Sequence, residues 1–347
     1  MEQSTVIDLF AGAGGATQGL FQAGFRVVAA VENDPRAADT YRANHPGVHL
    51  EARDIEKVRL GRLRSRVGME KGDLTLLKSC PPCQGFSSLG HIEGGEEDDP
   101  RNDLVRQTWR FVTAFEPRAV LMEYVPGLRH DARFSELVSA CLSSGYGVGS
   151  YLVDASDFGV PQRRKRLILI AVKGVASDDM PEHVTDVLPE DFVTEAPSAG
   201  DAIAVAGPLH GTTDPVHRAR TPRPATLERI KSVPVGGTRF DLPPSQQLAC
   251  HTSLETRSAT SSYGRIKADG IAPTITTRCT TPACGSFVHP TEHRGISLRE
   301  AALLQTFPPD YKFEGGHDAV ERQIGNAVPV RMAEALGLAV LALTAGL

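Results

Sequence analysis

The chain is predicted to be an α/β protein: a doubly wound, mostly parallel sheet with a second, smaller and irregular domain. Three observations carry this. From the start to about Val172, short apolar runs alternate with segments of helical period, the texture of parallel strands joined by crossover helices. From Lys173 to about Arg294 the periodicity lapses into prolines, Gly-Gly and short polar runs. Regularity then returns toward the C-terminus.

The elements follow in order. TVIDLF leads to ATQGLFQAG, FRVVAAVE to PRAADTYRAN, LTLLKS to the helix-like NDLVRQTWRFVTAF, and AVLMEYV to FSELVSACLSSG, with RLILIAV closing the series. SLREAALLQTF opens with Ser297 and Glu300 at capping-box spacing and is stopped by Pro308-Pro309. A last helix starts near Pro329, where proline suits the first turn, and runs through RMAEALGLAVLAL. Packed back on the first module, it makes the larger domain discontinuous: residues 1–175 and 294–347, with residues 176–293 between them.

Composition excludes several classes. A chain of 347 residues with 41% hydrophobic content can bury a full core. The most apolar run, Ala335 to Leu347, is shorter than the roughly 20 residues of a spanning helix, and MEQSTVIDLF places no basic segment before an apolar one. We therefore expect neither membrane insertion nor secretion, but a cytoplasmic protein. Six unevenly spaced cysteines fit reduced thiols better than a disulfide framework. The net charge of −5 argues against indiscriminate coating of nucleic acid. Between Leu209 and Arg299, however, twelve Lys or Arg face six Asp or Glu, so this part could meet a polyanion. A solvated basic surface would read the same way.

In VIDLFAGAGGATQGL a strand runs into a turn with Gly12, Gly14 and Gly15, followed by a helix from about Ala16. Such a turn presents backbone N–H groups to an anion. A dinucleotide fingerprint would place its third glycine at Thr17, and a carboxylate at Asp8 would repel a pyrophosphate. A zwitterion fits better, with its carboxylate at the N–H groups and its ammonium at Asp8. Glu32 ends the next strand, where an acid can hold ribose hydroxyls, and Asp54-Ile55 ends the third.

LTLLKS runs into Cys80-Pro-Pro-Cys83, and AVLMEYV places Glu123 at its end. Ligands of open parallel sheets sit outside the carboxyl ends of strands, so these residues could share a crevice with the glycine turn. The cysteine spacing permits a redox pair, half a zinc site, or one nucleophile beside a bystander. A redox pair would want a helix starting at the cysteines, yet QGFSSLGHIEGG follows. Zinc would need two more ligands, and Cys279 and Cys284 come from a segment of unrelated texture. In QRRKR, strand alternation points Gln162, Arg164 and Arg166 to one face and Arg163 and Lys165 to the other.

Taken together and in order, DLFAGAGG, PPCQGFS, MEYVPGL, VPQRRKR, SLREAALLQTFP and QIGNAVPV resemble the blocks of the DNA (cytosine-5) methyltransferases, over residues 5–175 and 294–335. The resemblance implies a Rossmann-like, S-adenosylmethionine-dependent methyltransferase domain with a small target-recognition domain in residues 176–293. It implies double-stranded DNA as partner, no metal, a monomer, and a cognate restriction endonuclease as a candidate partner in the cell. Cys83 becomes the nucleophile, adding to C6 of a flipped-out cytosine, and Cys80 a neighbour without a chemical role. Glu123 would bond or protonate ring N3, Arg164 would fix the carbonyl oxygen, and Arg166 would hold the catalytic loop or the intermediate. Phe10, Gly12, Gly14, Glu32, Asn33, Asp54, Ile55, Pro82, Leu104 and Asn326 would line the cofactor pocket. Gln84, Ser87, Arg163 and Lys165 would touch DNA, and Ser87 to Asn102 would form a lid.

Two positions depart from the pattern. The family block around Glu123 reads Glu-Asn-Val, with an asparagine that supports the neighbouring loop, and here that position is Tyr124. The lid also carries Glu93, Glu96, Glu97, Asp98 and Asp99 in place of a neutral or basic stretch. An RNA (tRNA) cytosine-5 methyltransferase and a non-catalytic DNA-binding regulator on the same fold are the competing readings.

Overall fold

Seven strands form one sheet in a computed structural model that describes residues 3–81, 104–249 and 260–347. They are β1 (Thr5–Leu9), β2 (Arg26–Glu32), β3 (His49–Ala52), β4 (Leu76–Ser79), β5 (Ala119–Tyr124), β6 (Tyr146–Asp154) and β7 (Lys165–Lys173), in the order β3-β2-β1-β4-β5-β7-β6. The first five are parallel, and β7 runs antiparallel to both β5 and β6. β1, β4 and β5 are buried along their whole length, which is why they read as unbroken apolar runs.

The crossover helices are α1 (Gly15–Gln22), α2 (Pro35–Asn44), α3 (Leu60–Val67), α4 (Leu104–Phe115) and α5 (Ala132–Ser143). Strand alternation sorts the sheet residues between two faces. Ile7, Leu9, Leu77, Val120, Met122, Tyr124, Leu167 and Leu169 join Leu63 of α3, Phe111 and Phe115 of α4 and Leu137 of α5 in one core. The opposite face lies against α1, α2 and the C-terminal helix. Gly19 on α1 makes that packing close: a Cβ there would meet Val330 O at 2.2 Å and the Ala333 Cβ at 2.7 Å.

The chain divides into two compact units, Met1–Phe158 with Lys165–Val193 and Val330–Leu347, and Gly159–Arg164 with Thr194–Pro329. The remaining helices are α6 (Ala199–Ala204), α7 (Pro224–Ser232), α8 (Leu298–Leu304), α9 (His317–Asn326) and α10 (Val330–Thr344). Only α10 belongs to the sheet-containing unit.

These boundaries differ from the segments read in the sequence, and side-chain pairing explains why. Residues 176–193 stay with the sheet: Arg331 of α10 lies 3.9 Å over the Phe192 ring and donates to Val193 O at 3.1 Å. Residues 294–329 stay with the second unit. Arg294 forks onto Glu300 at 2.7 and 2.8 Å, Arg299 pairs with Asp214 at 2.6 Å, and Ser297 meets His217 Nδ1 at 2.8 Å. The Ser297–Glu300 capping box forms as expected, and every residue of α8 is buried.

The second unit has no named strand among its described residues. Its small apolar cluster, Ile230, Val233, Leu242, Tyr263 and Val288, is held by a buried arginine instead. Arg265 is 5% exposed and donates to the carbonyls of Val233, His289, Glu292 and Ile230. One guanidinium thereby satisfies backbone oxygens that a sheet would otherwise pair.

Candidate active site

The strand order reverses direction between β1 and β4, so the turns after these two strands flank the sheet's topological switch point. The glycine turn follows β1. Phe10, Gly12 and Gly14 all take left-handed backbone angles (φ 57°, 57° and 93°), the alternation that turns successive N–H groups inward. Glu32, at the end of β2, reaches this turn. Its Oε2 accepts from Gly12 N at 2.7 Å and its Oε1 from Asp34 N at 2.7 Å. Burial raises the Glu32 pKa above the ordinary carboxylate value, against the pull of backbone N–H bonds from Asp34, Gly12 and Asn33.

Asp54 caps the following 3-10 turn by accepting from Glu56 N at 2.9 Å, and Ile55 is buried behind it. Arg110 of α4 donates to the carbonyls of Ile55 and Val58 and ties that turn down. Leu104 packs against the same core, and Asn33 is exposed beside Glu32. Phe10, Gly12, Gly14, Glu32, Asn33, Asp54, Ile55 and Leu104 thus gather at the carboxyl ends of β1, β2 and β3 and at the start of α4.

One expectation for this turn fails. Asp8 does not face a ligand ammonium, because it is fully buried and already paired. Its Oδ1 lies 2.8 Å from Lys78 Nζ, and its Oδ2 accepts from Thr17 Oγ1 at 2.7 Å. Thr17 Oγ1 is in turn 3.0 Å from the Tyr41 hydroxyl, and the Tyr41 ring packs 4.9 Å from His45. Burial pulls the Lys78 ammonium down, but the charge and hydrogen bond of Asp8 together with the nearby Cys80 and Glu123 outweigh it, and the pKa is raised. His45 is lowered by burial to about 4, so its imidazole is neutral at pH 7. The position where a dinucleotide fold needs glycine is therefore a threonine with a structural bond to keep.

The catalytic acid predicted at Glu123 sits on the same sheet face as this pair. Asp8 and Lys78 are direct partners in the β1–β4 ladder, and Ser79 pairs with Met122, so the next step places Cys80 beside Glu123. Cys80 Sγ donates to Glu123 Oε2 at 2.7 Å, so the neighbour of the expected nucleophile touches the acid. Arg166, at the start of β7, places Nε 2.5 Å from Glu123 Oε1, with both side chains largely buried. Arg166 is thus a direct partner of the acid. Tyr124 points to the opposite face, wholly buried in the core, with its hydroxyl 3.8 Å from Met122 Sδ.

Pro82, Cys83, Gln84, Ser87 and the expected lid, Ser87 to Asn102, lie outside the described residues. In the second unit, Arg164 is 5% exposed and donates to Ile275 O at 3.1 Å and Gly325 O at 3.4 Å. Gln162, fully buried, clamps the same region: its amide donates to Leu304 O and Gln305 Oε1, and its oxygen accepts from Ile275 N. Arg163 and Lys165 are exposed, as alternation predicts, and so is Asn326.

The family model of the C-5 cytosine-specific DNA methylases matches residues 4–342. The chain belongs to this family. A Type II methylase of Herpetosiphon aurantiacus, M.HgiDII, is 36% identical over 350 residues, covering 99% of this chain and 96% of its own. The Type II methyltransferase M1.HphI of Haemophilus parahaemolyticus is 34% identical, covering 97% and 86%. In fold, the S. pombe Dnmt2 methyltransferase superposes with a TM-score of 0.65 at 18% identity, covering 98% of each chain. The protein is accordingly a DNA (cytosine-5) methyltransferase, of a family that generally uses S-adenosylmethionine. The pairs Asp8–Lys78 and Cys80–Glu123 are what sequence reasoning missed. The available signal was a lone acid in one apolar strand and a lone base in the next.

Proposed function

We propose that this methyltransferase modifies C5 of a cytosine flipped out of duplex DNA, through a transient bond between Cys83 Sγ and C6. The observation that carries this reading is the grip on Glu123: a carboxylate fixed on both oxygens, at the end of the strand beside the one that leads into Cys83.

Cytosine C5 is a poor nucleophile. Addition of the Cys83 thiolate at C6 pushes electron density through the ring toward C5 and N3, and Glu123, which takes up a proton from solvent as the base binds, passes it to N3 and takes it back when Cys83 leaves. S-adenosylmethionine, when bound, supplies an electrophilic methyl group. Its sulfonium S–CH3 bond would break in the transfer to C5 and release S-adenosylhomocysteine; once solvent removes the C5 proton, the electrons of the C5–H bond expel Cys83, restoring both ring and thiolate. Arg166 keeps Glu123 aimed throughout, and Arg164 fixes the cytosine carbonyl oxygen.

The residues present fit the cofactor. The Glu32 carboxylate accepts backbone N–H groups of Gly12, Asp34 and Asn33 and keeps lone-pair capacity for a ribose hydroxyl. A Cβ built on Gly12 meets nothing within 4 Å, so the turn faces open space. Phe10, Gly14, Asn33, Asp54, Ile55, Pro82 and Leu104 complete the proposed pocket. The sheet-containing unit carries Cys83, Glu123 and Arg166, and the arginine-stitched unit reads the target. Gln84, Ser87, Arg163 and Lys165 hold DNA, and the Type II relatives support a cognate restriction endonuclease as cellular partner.

The test is transfer of a tritiated methyl group from S-adenosylmethionine to duplex DNA and to tRNA, side by side. Label in DNA that is lost in Cys83→Ala is the expected result, and incorporation only into tRNA would overturn the substrate. A duplex containing 5-fluorocytosine should give a gel-stable adduct with the wild type and none with Cys83→Ser.

A further inference from the structure

Glu123 is held on both sides. Arg166 takes Oε1 at 2.5 Å, and the sulfur of Cys80 stands 2.7 Å from Oε2. An ionised carboxylate only accepts, so the hydrogen of the second contact comes from the thiol. The placement of Cys80 is built into the sheet. Its N–H donates to Leu9 O at 3.4 Å, extending the β1–β4 ladder by one residue beyond Ser79, and it lies on the face shared by Lys78 and Glu123.

We propose that Cys80 is a positioning residue of the methyl-transfer reaction, its S–H holding Glu123 Oε2 so that the carboxylate meets the base with one rotamer. Arg166 holds Oε1, and the thiol adds a donor at Oε2. With both oxygens held, the plane of the carboxylate is fixed before the base arrives, so the proton that Glu123 passes to N3 is aimed in advance. The inference rests on the function proposed above, and it assigns Cys80 no covalent part. It also accounts for two cysteines in one turn: one to react, one to hold the acid.

The tests use the full chain. In single-turnover methyl transfer, Cys80→Ala should lower the rate about tenfold, the worth of one hydrogen bond to a charged group, with cofactor binding unchanged. Cys80→Ser, which keeps a donor, should recover most of that loss. Equal rates for Cys80→Ala and wild type would overturn the proposal, and so would equal losses in the alanine and serine variants, which would mean packing alone.

An infrared readout stands apart from activity. The S–H stretching band that disappears in Cys80→Ser should lie at a hydrogen-bonded frequency in the wild type and move to the free-thiol position in Glu123→Ala. A band already at the free position, or one indifferent to Glu123, rules the contact out whether or not the protein methylates DNA. No transfer by the wild type together with a shifted band would instead count against the proposed function and leave the Cys80–Glu123 contact standing.

Discussion

Replacing Lys78 with methionine isolates the buried ion pair beneath the glycine turn. Lys78 is 4% exposed and Asp8 0%, with 2.8 Å between their charged atoms. The variant strands a carboxylate whose remaining side-chain donor among the described residues is Thr17 Oγ1 at 2.7 Å. Removing one member of a buried pair costs about 3–5 kcal/mol, against total stabilities of about 5–15 kcal/mol. Urea unfolding followed by the fluorescence of Trp109, the single tryptophan, reports the sheet-containing unit directly. The pH dependence has a definite sign. The Lys78 pKa is raised in the fold, so its contribution is complete below the unfolded lysine value of about 10.4 and fades only as pH climbs through the folded one. On the lysine side, then, the deficit should be constant from about pH 6 to about pH 9. Asp8→Asn combined with Lys78→Met leaves no net charge behind and should recover much of the loss. A single variant within about 1 kcal/mol of wild type, or a double no better than the single, would refute the reasoning.

Four further outcomes are expected. Glu123→Gln should slow single-turnover methyl transfer by about 10²-fold, the worth of a positioned acid, with little change in cofactor affinity. Glu32→Gln must turn an NH₂ toward a backbone N–H at Gly12 or Asp34, so cofactor affinity should fall by about tenfold or more in equilibrium binding. His45 has its folded pKa lowered to about 4, so stability should fall as pH drops from the unfolded histidine value of about 6.5 toward 4. The total on that side is about 3 kcal/mol, and His45→Phe should flatten the acid limb of urea midpoint against pH. Ser297→Ala removes the cap of α8 and the contact with His217 Nδ1, and should cost about 1–2 kcal/mol in thermal or urea unfolding.

Much of the fold could be read along the chain because the signals are local. Apolar runs ending at Leu9, Glu32, Ser79 and Tyr124 are strands buried on both faces, and Ser297 with Glu300 caps a helix using only its own residues. The fate of residues 294–329 was not legible. α8 has the composition of any core helix, and only the distant partners Asp214 and His217 hold it in the second unit. α9 passed unnoticed for a related reason: Glu321, buried on its inner face, is satisfied by Thr280 and Arg220, which no helical period announces.

In the site, strand ends gave away Glu32 and Glu123, because a parallel sheet presents its carboxyl ends to ligands. What holds those acids depends on register between strands far apart in sequence. Once Asp8 stands opposite Lys78 and Ser79 opposite Met122, one face of the sheet carries Asp8, Lys78, Cys80, Glu123 and Arg166 in a row, alternating acid and base around a neutral thiol. The formal charges of that row cancel. An ionised Glu123 is tolerated there because Arg166 compensates it on one side while Lys78 is neutralised by Asp8 on the other, so no unpaired charge is buried. Tyr124 faces the hydrophobic core on the far side of the sheet, and the donor that steadies the acid comes from Cys80 on the neighbouring strand.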